Sequence, residues 1–270
     1  MGREEIVKVY KELMHMRWKR LAICLLILAG CVLLFSIPLG IKWMFEDVFL
    51  FAIVCVFASI MAFFWEVKTI VKHFKPLQDI LFQECDPAKL LEVTKQGVAY
   101  GLEDAKNQKS SAFLQFEAEY VATLVALGDF EGAMKYLTEE WHSIRRKAHK
   151  QLTMQIQLNV LAEKKDKEQY LALYAKAPML VKNSPVFQVQ RLIVEEKYKE
   201  AIDMMRNKFN PNTPLQKIQQ QYFLGKCYHA LGELETAGIH FAYVTANGKD
   251  LMYRKKALEL AGEKITEENE

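Results

Sequence analysis

The residues that would carry chemistry are few, and their spacing works against it. Cys227 and His229 bring a thiol and an imidazole within two positions, the types a nucleophile and its base would use. On a helix, side chains two apart diverge, and no carboxylate stands ready to orient the imidazole. His142 and His149 are seven apart and share a helical face, but neither a cysteine nor a carboxylate joins them at metal-ligand spacing. Glu139-Glu140 and Arg145-Arg146-Lys147 read as a solvated face with weak ion pairs, and Asp203-Met204-Met205 as core filling. The GxxxxGK, GxSxG, HExxH and GxGxxG patterns do not occur. The sequence therefore predicts no catalytic residue, no metal, no cofactor and no enzyme activity.

The five cysteines fit a reducing environment. Cys24, Cys31 and Cys55 fall inside apolar stretches, Cys85 and Cys227 outside them, and none forms a CxxC pair. "MGREEI" has Ile6 where myristoylation wants Ser or Thr, so lipidation is not expected.

Residues 21–41 carry no charge, and neither do residues 48–65. Each stretch is long enough to cross a hydrocarbon layer of about 30 Å. Trp18, Trp43 and Trp65, three of the four tryptophans, stand at their ends, where indole favours the headgroup zone. Arg3, Lys8, Lys11, Arg17, Lys19 and Arg20 precede the first stretch, and Lys68, Lys72 and Lys75 follow the second. The loop between, 42–47, has only Lys42 against Glu46 and Asp47. This pattern predicts a two-span hairpin with both termini cytoplasmic, in a bacterial plasma membrane. The first run is too long for a signal-peptide core. Residues 81–270 hold 26 basic and 26 acidic side chains, so the folded part has no basic excess for nucleic acid.

The expected organisation is a basic N-terminus at 1–20, spans at 21–41 and 48–65, a helical juxtamembrane linker at 66–85, and an all-α domain at 86–270. Asp86-Pro87, Ser184-Pro185 and Thr213-Pro214 each read as an N-cap followed by proline in the first turn. "LTMQIQLNV", 152–160, alternates like a strand, but its residue types favour helix and no partner strand is visible.

"LGDFEGAMKYL" at 127–137 and "LGELETAGIHF" at 231–241 match in pattern, and "EEKYKEAIDMM" at 195–205 is a weaker copy. Aligned on Ala133, Ala201 and Ala237 they are 68 and 36 residues apart, which places a degenerate copy near Lys167, with Leu171 in its apolar slot. A period of about 34 resembles the tetratricopeptide repeat. Leu224-Gly225 followed by Tyr228 resembles the family's first-helix run, Gly232 its turn, and Ala237 and Phe241 its second-helix pair. Gln221 and Lys249 depart from its tryptophan and proline slots, and Tyr120-Val121 and Gln188-Val189 replace Leu-Gly in other copies. The resemblance covers about 112–251 and implies an α-solenoid, with an N-terminal helix at 86–101 and a capping helix at 250–262.

In such a stack the first helix of each pair lines the inner surface. Tyr222, Lys226 and His229, with Val186, Gln190 and Ile193 on the preceding first helix, would then form a groove for a protein or peptide. Gln115, Ala118, Ala122, Val125, Leu152, Ile156 and Asn159 leave the earlier inner face uncharged, which disfavours the chaperone-tail clamp of some family members. The expected function is a membrane-anchored adaptor or scaffold. The alternatives are an accessory subunit of a secretion or transport complex, packing through Gly30, Ser36 and Gly40, and, least favoured, a membrane enzyme.

Overall fold

The computed structural model describes residues 2–14, 19, 21–30, 48–142 and 146–267, with backbone only at 48–52, 146–147 and 263–267. Among the described residues the chain is all-helical, with no strand. The first predicted span is described as a helix only over Leu21–Gly30, and the predicted loop at 42–47 lies outside the described residues. In chain order the helices are α1 (Arg3–Met14), α2 (Leu21–Gly30), α3 (Val48–Phe82), α4 (Pro87–Leu102), α5 (Ala105–Gln108) and α6 (Ser111–Leu127). Then come α7 (Phe130–Lys135, running into a π turn at Tyr136–Glu140), α8 (Arg146–Glu163), α9 (Lys167–Ala175), α10 (Met179–Lys182) and α11 (Pro185–Val194). The last four are α12 (Tyr198–Asn207), α13 (Pro214–Ala230), α14 (Leu234–Asn247) and α15 (Met252–Glu267). They form two compact units: Met1–Pro76 with Gln96–Gln115, and Leu77–Lys95 with Phe116–Glu270.

In the first unit, the predicted basic N-terminus folds into an amphipathic helix. Ile6, Val9, Tyr10 and Leu13 recur at helical spacing and are buried. Tyr10 donates its hydroxyl to the Gly97 carbonyl at 2.8 Å and meets Tyr100 edge-on, with ring centroids 5.0 Å apart. Gly101 lies so close to Phe113 and the Tyr10 hydroxyl that a side chain there would clash with both. His73 lies 2.8 Å from Glu12, which ties α3 to α1.

Residues 48–65 and most of the predicted linker form one continuous helix, α3, of 35 residues. Over Ile53–Phe82 it is long and apolar enough to cross a membrane, and 11% of its most apolar window is buried. A soluble core helix would be mostly covered. Here Val56, Phe57, Phe63, Phe64 and Val71 are all more than half exposed. Ala58 and Ala62, four apart, are instead fully buried, and the Cys24 thiol of α2 lies 3.7 Å from the Ala58 carbonyl. Small side chains permit that approach. Ser59 and Thr69 donate back to the carbonyls of Cys55 and Trp65, so neither hydroxyl goes unsatisfied among apolar neighbours.

In the second unit, four helical hairpins share one turn. Gly128, Lys165, Glu196 and Gly232 have φ of 83°, 55°, 63° and 78°. Each donates its N–H to the carbonyl three residues back. The next residue donates to the carbonyl five back: Asp129 to Leu124, Asp166 to Leu161, Lys197 to Leu192 and Glu233 to Tyr228, at 2.9–3.0 Å. That is the paired bonding by which a left-handed residue closes a helix. Asp129 and Asp166 also cap the following helix, accepting from the amides of Gly132 and Gln169.

Counting from these turns aligns the hairpins. Ala133, Tyr170, Ala201 and Ala237 are equivalent, and each is at most 1% exposed. Val121, Leu158, Val189 and Gly225 occupy one first-helix position, and Leu137, Tyr174, Met205 and Phe241 one second-helix position, all buried. By this alignment the positions equivalent to Ala133 and Leu137 are Tyr170 and Tyr174, three residues beyond the Lys167 and Leu171 that spacing alone selects. Links of unequal length between the hairpins account for the offset. The stretch at 152–160 is helical, within α8.

Among the caps, Asp86 accepts from the Lys89 amide at 3.0 Å and Thr213 from the Gln216 amide at 3.2 Å. The Ser184 side chain makes no capping bond, contrary to expectation; its carbonyl accepts from the Gln188 amide instead.

Candidate functional site

All six predicted groove residues line one cavity of about 360 Å³ in the second unit. Its walls are the first helices of three consecutive hairpins and the last helix. α8 supplies Asn159, Ala162 and Glu163, α11 supplies Val186, Gln190, Ile193 and Val194, and α13 supplies Tyr222, Phe223, Lys226 and His229. α15 contributes Met252, Tyr253 and Leu260. Lys165, Lys167, Glu196 and Tyr198 also border the space.

The geometry departs from the expected open groove. Tyr222 is 3% exposed, and Gln190 and Ile193 are also buried. α15 forms the fourth wall, so the capping helix helps to enclose this surface. The Tyr222 ring packs on Phe223 and Tyr253 at 5.5 and 5.1 Å, which makes it part of the core as well as of the cavity wall. Burial pushes its phenol well above the usual range and raises that of Tyr253 to about 12. Both rings are therefore neutral walls, with the Tyr253 hydroxyl accepting from the Gln219 amide at 3.2 Å.

Gln190 is held from two sides. Its carbonyl accepts from the Tyr170 hydroxyl at 3.2 Å, and its amide donates to the Asn159 side-chain oxygen at 3.1 Å. The polar atoms are thus largely occupied within the wall. Lys226 differs. Burial lowers its pKa from the ordinary lysine value, against an opposing pull from Glu163. Its ammonium makes no hydrogen bond or ion pair among the described residues, while Glu163 lies 2.5 Å from Lys256 and Glu196 lies 3.5 Å from Lys167. His229 lines the cavity with its ring 6.4 Å from that of Phe241.

The packing residues lie beneath this wall. A Cβ on Gly225 would sit 2.6 Å from the Phe241 ring, so the glycine accommodates that ring more directly than it does Ala237. Leu224 and Ala237 are buried, and Tyr228 stacks on His240 with centroids 5.5 Å apart. Gly232 supplies the positive φ of the turn.

The other chemical candidates separate. Cys227 is fully buried, and desolvation raises its thiol to about 12, which leaves it protonated and inert at neutral pH. His149 bonds the Leu137 carbonyl at 2.7 Å, whereas the His142 backbone donates to the buried Glu117 carboxylate at 2.9 Å. Among the described residues no group of three or more His, Cys, Asp or Glu could hold a metal. Sequence reasoning missed Glu117, which also accepts from Tyr136 at 3.1 Å, and missed the α15 wall. An acidic residue in an apolar helix was the available signal for the first; the second depends on tertiary packing.

Neither family models nor curated proteins nor solved structures give a significant match to this chain.

Proposed function

We propose that the protein is a membrane-anchored adaptor: a two-span hairpin carrying a tetratricopeptide-like helical-repeat domain that binds a protein partner at the cytoplasmic face. The observation that carries this reading is the turn repeated in four hairpins, with equivalent buried positions on both helices. A repeated two-helix unit that buries its faces against its neighbours is the organisation of recognition solenoids. The apolar, mostly exposed surface of α3 supports the membrane anchor, and the contact between Cys24 and Ala58 supports pairing of α2 with α3. The faces of α8, α11 and α13 that line the cavity are the surface offered to the partner, with Lys226 and His229 as its half-exposed polar groups.

Proximity labelling from a C-terminal tag, followed by co-purification in mild detergent, tests the reading. The expected result is soluble partners whose recovery falls when His229→Ala is combined with Lys226→Glu. Tyr222 is unsuitable for this test because its removal would damage the core. Partners that are all membrane proteins at equal stoichiometry, unaffected by these changes, would instead assign the chain as an accessory subunit.

A further inference from the structure

The cavity between α8, α11, α13 and α15 holds a cation that its surroundings leave unmatched. Its other charges come mostly in pairs, Glu163 with Lys256 and Lys167 with Glu196. Lys165 also borders the space but is exposed to water. Lys226 is partly buried, with no hydrogen-bond or ion-pair partner among the described residues. Apolar walls beside it come from Val186, Ile193, Phe223 and Met252. An ammonium group partly shielded from water costs free energy unless an anion joins it, and Lys226 keeps some contact with solvent. The same burial pushes its pKa down, and Lys256 and Lys165 push in that direction too, while Glu163 pulls the other way.

Size and closure narrow the occupant. The volume of about 360 Å³ lies within the range of small-molecule sites, roughly 300–1,000 Å³. A peptide main chain needs an open groove along the first helices, and α15 walls this one with Met252, Tyr253 and Leu260. Gln190 and Tyr253 are already hydrogen-bonded to protein groups, while His229, Tyr198 and Tyr222 add polar groups to the wall. One cation beside apolar and aromatic walls suits one anionic group on an apolar body.

We propose that this cavity binds a small amphiphilic carboxylic acid, its aryl or hydrocarbon body against the apolar wall and its carboxylate on the Lys226 ammonium. This goes beyond the adaptor reading and gives the same cavity wall a different occupant, so the acid and a protein partner would compete for Lys226, and competition by the tetrapeptide separates the two.

The test uses the full chain in lipid nanodiscs, titrated calorimetrically with 4-phenylbutyrate, with empty nanodiscs as the blank for partitioning. The neutral 4-phenylbutyramide and a capped acidic–apolar tetrapeptide serve as competitors. The expected result is saturable one-to-one binding of the acid, at least about tenfold tighter than the amide, because the ion pair forms away from bulk water. Lys226→Met should reduce acid binding to the level of the amide and leave the amide unchanged. Lys226→Arg should keep the preference for the acid. Circular dichroism of both variants checks that the helices persist. No saturable binding of the acid, equal binding of acid and amide, an acid affinity unchanged in Lys226→Met, or binding of the tetrapeptide alone would each overturn the proposal.

Discussion

Gly225 and Lys226 are adjacent on α13 and answer to opposite constraints. Gly225 has no room: the Phe241 ring occupies the space a side chain would need, 2.6 and 2.7 Å from where a Cβ would stand. Gly225→Leu should lower stability by about 1–3 kcal/mol, since overpacking forces ring and backbone apart. Thermal melts of the full chain check it, and an unchanged Tm would remove the close approach of α13 and α14 from the account. Lys226 has space but insufficient compensation for its charge. Its folded pKa lies below the ordinary 10.5, so the unfolded chain binds more protons in the window between the two values. The penalty is full below the folded pKa and fades as pH rises toward the unfolded value. Lys226→Met should therefore have the higher Tm at pH 7, with the gap to the wild type narrowing toward pH 10. A gap independent of pH would mean that methionine gains through packing alone. A stabilising substitution at a cavity residue is the pattern expected where function is retained at some cost in stability.

At the scale of the element, the turn is the informative unit. Gly128 and Gly232 were legible because glycine adopts positive φ without penalty and follows leucine in both copies. Lys165 and Glu196 hold the same conformation but leave no compositional trace, which is why only spacing hinted at the copy between them. That spacing fell three residues short because neighbouring hairpins are joined by links of unequal length. The proline-marked starts of α4, α11 and α13 were readable, since proline fits the first helical turn. α1 was read only as basic charge, although Ile6, Val9, Tyr10 and Leu13 already trace a helical face. Six of the residues that line the cavity could be placed on two helix faces from register alone. Its enclosure by α15 could not, because it depends on where the last helix packs. Glu196→Gly should raise stability by about 1 kcal/mol by removing a left-handed side-chain penalty, and Gly232→Ala should lower it by a similar amount. A Cβ at Gly232 meets open space, so that loss would be purely conformational. Denaturant unfolding of the two variants checks both signs; equal effects in one direction would contradict a shared turn.

At the scale of the whole molecule, charge predicts orientation. Nine basic residues flank the outer ends of the two apolar stretches and one lies between them. In a cysteine-free background, a probe at Lys106 should be protected from an impermeant thiol reagent in intact cells, and a probe at Glu46 should react. The reverse pattern would invert the topology. Labelling at both positions would mean that the apolar stretches do not form a two-span hairpin.

The shared turn also bears on how the second unit would yield under tension. The left-handed residues of the four shared turns, Gly128, Lys165, Glu196 and Gly232, are 37, 31 and 36 positions apart, so each hairpin stores a similar length of chain. If contacts between successive hairpins hold the array, pulling on the C-terminus should peel one hairpin at a time. At about 3.6 Å of extended chain per residue, each release adds roughly 11–13 nm of contour length. An optical trap should record a staircase of nearly equal steps, whereas a single rupture would mean that the hairpins share one cooperative core.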